Sequence, residues 1–284
     1  MTLAYSDIFN FPLTKEEIWI RLVSDRKIKR EEFEKGLISL VETSVIELSE
    51  NYYCLSGSKQ NIKKRNKNSL EAEKKLSIAK KVAYYLSFIP SIKFIGISGG
   101  LATGNVDVND DIDFFIITKK NSLFVTRFFA LVMLEILRLR RTRNDKNSGN
   151  KICLNLLIDE DNLSWPEKMR DLYTAYEIIQ IKPLFEKDNI FKRFFTANSW
   201  TRKYFKNNNP VIGHSVNPKI NSSGIFMRTS ELLMRSLQKY YMKKYRTTEI
   251  VSKGFIAFHP MDYRTKSMNL LRSKCRNLGL LTKF

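Results

Sequence analysis

Apolar residues recur along this chain with two different periods. Phe94-Ile95-Gly96-Ile97 is a short apolar run that stops at Ser98-Gly99-Gly100, as a buried strand entering a tight turn does. A helix is predicted to open there. Ile112-Asp113-Phe114-Phe115-Ile116-Ile117 is a second run, β-branched and aromatic, and residues 151–159, KICLNLLID, form a third; both are predicted strands. Around them the helical period takes over. Residues 69–89 predict a helix capped by Ser69 and stopped by Pro90, with Leu76, Ala79, Val82 and Leu86 facing inward. Residues 121–141 predict a long helix whose apolar side carries Phe124, Phe128, Val132 and Ile136, with Arg138, Arg140, Arg141 and Arg143 at its C-terminal end. Residues 170–200 read as largely helical, and residues 229–245 as an amphipathic helix with a basic, aromatic stretch at 238–246.

The first 58 residues have their own pattern. A helix begins near Tyr5, and Thr14 with Glu17 three residues later is a capping box before Ile18. A second helix is predicted over residues 29–43 and a β-hairpin over 45–55, turning at Ser49-Glu50-Asn51. Helix, helix, hairpin is the order of a winged helix. Glu31, Glu32 and Glu34 on the would-be recognition helix would repel phosphates, so packing or partner recognition is the preferred role over reading DNA. The basic stretch 59–68, KQNIKKRNKN, is predicted to be a boundary, leaving 1–58 removable. Residues 207–223, rich in Asn, Pro, Gly and Ser, mark a second linker. The predicted organisation is α+β: a winged-helix module at 1–58, a mixed sheet flanked by helices at 69–205, and a helical region at 224–284.

Asp111 and Asp113 stand two apart at the start of the second strand. Strand side chains alternate, so both carboxylates share one face and can share one divalent cation. Gly99-Gly100, ten intervening residues, and Asp111-Ile112-Asp113-Phe114 together resemble the signature of the nucleotidyltransferase superfamily, the fold of DNA polymerase β and the small bacterial nucleotidyltransferases. The winged helix in front and the NLLID strand resemble uncharacterised prokaryotic proteins of that kind.

The resemblance implies a nucleoside triphosphate cradled by Ser98, Gly99 and Gly100. It implies one or two Mg²⁺ ions on Asp111 and Asp113, and transfer of a nucleoside monophosphate to a small molecule, a protein or an RNA end. The third metal carboxylate of the family falls on Asn155, an amide and a weaker Mg²⁺ ligand. Asp159, odd-numbered like Asn155 and about 13 Å along an extended strand, is the alternative.

With 49 Lys+Arg against 29 Asp+Glu the net charge is +20, which favours polyanionic partners. Cys54, Cys153 and Cys275 are far apart, and His214 and His259 are the only histidines. That spacing suggests neither a disulfide framework nor a zinc site, and points to a reducing cytoplasm. The start of the chain lacks a signal-peptide pattern, and the apolar run at 123–137 is broken by Arg127 and Glu135, so no membrane span is expected. Three functions stay open: a Mg²⁺-dependent nucleotidyltransferase, a nucleotide-binding or scaffold protein without turnover, and a nucleic-acid binder using the N-terminal module.

Overall fold

The computed structural model describes residues 1–142, 145, 148–208, 224–243, 250–258 and 262–280. Arg143, His214, His259, most of the 207–223 stretch and positions 244–246 of the basic stretch lie outside the described residues.

The chain is α+β, built on a six-stranded mixed sheet in the order β6-β3-β4-β5-β8-β7. The three strands legible in the sequence are its centre: β3 (Ile92–Ile97), β4 (Ile112–Thr118) and β5 (Ile152–Asp159). β3 and β4 are antiparallel, while β4 and β5 are the one parallel pair among the described strands. One face packs Ile95, Ile112, Phe114, Ile116 and Leu157 against helices α4 (Asn61–Leu86) and α6 (Leu123–Ile136). The other packs Phe94, Phe115 and Ile158 against Phe191 and Phe194 of helix α8 (Ile190–Ala197). Being buried on both faces, β4 shows a continuous apolar run instead of alternation.

Four expectations about the elements change. The largely helical reading of 170–200 is interrupted by strand β6 (Lys182–Glu186), which pairs with β3 between helix α7 (Leu172–Ile179) and α8. β6 lies at an edge of the sheet, where Pro183 with its missing N–H is tolerated. The C-terminal region is not wholly helical. Between α9 (Gly224–Lys243) and α10 (Asp262–Asn277) it contributes β7 (Ile250–Val251) and β8 (Phe255–Ala257), and β8 pairs with β5. These two short strands carry too few residues for a periodic signal.

The third change concerns the predicted boundary at 59–68, which is the beginning of α4, a continuous 26-residue helix. Its inward positions there are Ile62, Arg65 and Asn68, and with two of the three polar no apolar period is visible. Arg65 donates to Glu17 at 2.8 Å and lies 3.7 Å from the Phe11 ring centre. Lastly, α6 ends at Ile136. Arg138 has φ +56°, and the segment after it runs beside β5, the Arg141 N–H donating to the Ile152 carbonyl at 3.1 Å. The side of α6 predicted to be inward is partly outward: Phe128, Phe129, Val132 and Ile136 are exposed, and Leu123, Phe124, Ala130 and Leu134 are buried.

The N-terminal residues form α1 (Thr2–Asp7), α2 (Lys15–Ile20), α3 (Arg30–Glu42) and the hairpin β1 (Ile46–Ser49) and β2 (Tyr52–Leu55). The capping box of Thr14 and Glu17 is present. Glu50 and Asn51 both have positive φ, as a two-residue hairpin turn of matching twist requires. Two acids of α3 are held in ion pairs: Glu32 with Arg26, and Glu34 with Lys15 and Arg30. This module does not have a core of its own. Leu3, Tyr5, Phe11, Leu13 and Phe33 share one cluster with Leu172, Tyr176, Phe205 and Leu271, and the rings of Tyr5 and Tyr176 stack 3.7 Å apart. Removing 1–58 would bare that surface, so the expectation of a free-standing remainder does not survive the packing. Among the described residues no helix is long and apolar enough to cross a membrane.

Candidate active site

The N-terminal module, the ends of β3, β4 and β5, and α7 enclose a cavity of about 630 Å³. Ser98, Gly99, Gly100, Asp111, Asp113 and Asn155 all line it. The sequence thus placed its candidates on one surface.

Two backbone constraints bring the turn and the acids together. β3 ends at Ile97, and the Ser98 N–H donates to the Asp113 carbonyl at 3.0 Å. Gly99 has φ +59°, and a Cβ there would stand 2.7 Å from Asp113 Oδ2, so no side chain fits. At Gly100 a Cβ would stand 2.7 Å from the Asn105 carbonyl oxygen. The glycines are therefore what lets the turn lie directly on the Asp113 carboxylate. Ser98 is 7% exposed and its hydroxyl has no hydrogen-bond partner in the protein, although the residue borders the cavity.

The register of β4 with β5 puts Cys153 opposite Asp113. Ligand-capable atoms of Asp111, Asp113 and Cys153 all lie within 4.8 Å of one another. Asn155 shares their cavity two residues on, and Cys153 adds a sulfur donor beside the aspartates. Between the pairs Asp113–Cys153 and Phe115–Leu156, β5 carries one extra residue. Such a bulge reverses the side-chain parity beyond it. Ile152 and Leu154 face α4 and α6, and so does Leu157, whereas Leu156 and Ile158 face α8. Asp159 therefore falls on the opposite face from Cys153, paired with Thr118 at the far end of β4, about 17 Å along the strand from Asp113. The counting of odd positions that made it an alternative to Asn155 fails at the bulge.

Charge at the site is unbalanced. Arg141 Nη1 lies 2.5 Å from Asp111 Oδ2. Burial, with Asp111 and Glu177 nearby, pushes the Asp113 carboxyl up to about 8, against the pull of Arg141. Burial pushes Glu177, on the α7 wall of the cavity, up to about 7. It also raises the Cys153 thiol, with Asp113 and Asp111 adding to the shift. Asp110, Asp111, Asp113, Glu177 and the Cys153 thiol line the cavity against two guanidiniums, Arg21 and Arg141, of which Arg141 is the one paired with Asp111, a balance that favours a bound cation.

A buried amine fixes the loop that delivers Asp111. Lys75 of α4 is 0% exposed, and its Nζ donates to the carbonyls of Val108 at 3.0 Å and Asp110 at 2.7 Å, and to Asn150 Oδ1 at 3.3 Å. It ties the residues before β4 to those before β5. Sequence reasoning missed Lys75, since a lysine in a polar helix reads as solvated. It missed Arg141, which was assigned to a helix end, and Cys153, which was read as a lone cysteine. No pattern in the sequence marked Cys153, since only the register of β4 against β5 pairs 113 with 153.

The two carboxylates fit a divalent cation. The third donor, a sulfur, departs from the all-oxygen set that the superfamily resemblance implies for Mg²⁺. The chain matches no protein-family model, no curated protein and no solved structure.

Proposed function

We propose that this protein is a cation-dependent nucleotidyltransferase, acting on a nucleoside triphosphate and a hydroxyl-bearing acceptor. The observation that carries the reading is the contact of the Gly99 turn with the Asp113 carboxylate inside a cavity of nucleotide size. A turn without side chains admits phosphate oxygens close to backbone N–H groups, and the partnerless Ser98 hydroxyl supplies a donor beside it. A cation held by Asp111 and Asp113 would neutralise charge on the phosphates. Asp111 and Asp113 are pre-placed for this by the Lys75 tether and by strand pairing, so positioning and electrostatics carry the catalysis. Arg141, released from Asp111, has a charge suited to the phosphate tail.

Nucleotide binding without turnover is the second reading, and the specific observation in its favour is Cys153 in place of a third carboxylate. The test is binding and consumption of labelled triphosphates with Mg²⁺ or Mn²⁺, in parent and in Asp111→Asn/Asp113→Asn. The double variant is expected to lose cation-dependent nucleotide binding by about 100-fold or more, since both anionic ligands go. Binding as tight as the parent's would sink the site assignment. Binding in the parent without consumption in the presence of cell extract would leave the second reading.

A further inference from the structure

The donor set at the strand ends says which cation. Mg²⁺ takes oxygen ligands in an octahedral shell and keeps several waters, whereas thiolate sulfur selects softer ions. Here two carboxylates and one thiol converge within 4.8 Å. Donors around one ion stand about 3–4 Å apart at usual bond lengths, so modest side-chain rotation closes the cluster. Cys153 is held in place by the parallel pairing of β5 with β4, opposite Asp113. All three residues line the cavity, which leaves a position open for a water or a substrate oxygen. A second and separate sign of a ligand is the buried, partnerless hydroxyl of Ser98 bordering that cavity.

We infer that Asp111, Asp113 and Cys153 form a mixed oxygen and sulfur site for a borderline-soft divalent cation of the Zn²⁺ class, in preference to Mg²⁺, with Cys153 a direct ligand. The inference rests on the reading that Asp111 and Asp113 hold a cation. Sulfur binds as the thiolate: the S–H bond breaks, the metal–sulfur bond forms, and the proton leaves to solvent. Arg141 must leave Asp111 as the ion arrives, since its guanidinium occupies an oxygen the ion needs. Two carboxylates, one thiolate and an exchangeable fourth position give the composition of a catalytic rather than a structural zinc site.

Co²⁺ reports sulfur ligation directly. The full-length protein, stripped of metal and free of nucleotide, is titrated with Co²⁺ and the near-ultraviolet sulfur-to-cobalt charge-transfer band is followed. The expected result is a one-equivalent band that Zn²⁺ displaces and that a thousandfold excess of Mg²⁺ does not. Cys153→Ser abolishes the band and weakens Zn²⁺ binding by about 10–100-fold, and Cys153→Asp shifts the preference towards Mg²⁺. The double variant Cys54→Ser/Cys275→Ser keeps the band; it assigns the sulfur even if Cys153→Ser fails to fold. A titration with no charge-transfer band, or a band that survives in folded Cys153→Ser, overturns the inference. Because no nucleotide is present, a parent that binds Co²⁺ through sulfur but transfers no nucleotide defeats only the enzymatic reading. Mg²⁺-dependent nucleotide binding with no sulfur band defeats only the sulfur ligand.

Discussion

β4 and β5 carry acidic residues at both ends of their parallel pairing; burial raises the carboxyls of Asp159 and Asp113 alike, but the two ends satisfy them differently. At the far end Asp159 is 3% exposed and its Oδ1 accepts from Asn162 Nδ2 at 2.7 Å and from the Asp161 N–H at 3.1 Å. The backbone N–H of Asn121 faces it as well, and its own N–H donates to the Gly254 carbonyl at 3.0 Å. Glu231 of α9, within electrostatic reach of Asp159, accepts from the N–H groups of Phe124 and Val125 at 3.0 and 2.9 Å, capping α6 where Ser122 provides no side-chain cap. Every one of these contacts ties a carboxylate to the protein itself. At the near end burial, Asp111 and Glu177 raise the cost of ionising Asp113, and Arg141 and a hydrogen bond with Cys153 only partly oppose them. An acid whose lone pairs are used internally is part of the fold. An acid left among like charges beside a cavity is free to hold something else, and it lowers the stability of the empty protein while it waits.

The sharpest way to break this comparison is at the closed end. Asp159→Ala strands the donors of Asn162, Asp161 and Asn121, and is expected to cost about 2–4 kcal/mol in chemical denaturation while leaving cation affinity unchanged. A loss of cation binding that is not explained by unfolding would mean that the two ends are one site.

The open end should respond with the opposite sign. The folded carboxyl of Asp113 sits above its unfolded value near 4, so between about pH 4 and 8 the unfolded chain gives up a proton that the folded one keeps. That contribution lowers stability as pH rises. Asp113→Asn removes it, and is expected to stabilise the metal-free protein by about 1–3 kcal/mol at pH 9 and by nothing measurable at pH 4. Thermal melts of parent and variant across that range check both the sign and the window.

A finer adjustment concerns the counter-ion. Arg141→Gln takes away the guanidinium that competes for Asp111, so cation affinity measured without nucleotide should tighten by about 3–10-fold. Nucleotide affinity should fall in the same variant if Arg141 moves to the phosphates. Unchanged cation affinity would show that the Arg141–Asp111 pair does not stand in the ion's way.

What the sequence by itself determined was local. The three central strands, the second half of α4, the Thr14–Glu17 capping box and the Glu50-Asn51 hairpin turn follow from side-chain period and turn chemistry within a few residues. The glycines and aspartates of the site were legible for the same reason, since each pair lies within one turn or one strand. Tertiary structure decided the rest. β6, β7 and β8 exist because β3 and β5 offer edges to pair with, and the first turns of α4 are held as Arg65 pairs with Glu17 of the N-terminal module and Asn68 with Asn105 beside the site. The meeting of Cys153 with Asp113 depends on the register of β4 against β5, and the turning away of Asp159 on one extra residue in the bulge. Register is a property of two strands at once, separated here by some forty residues of chain, and no pattern within either strand records it.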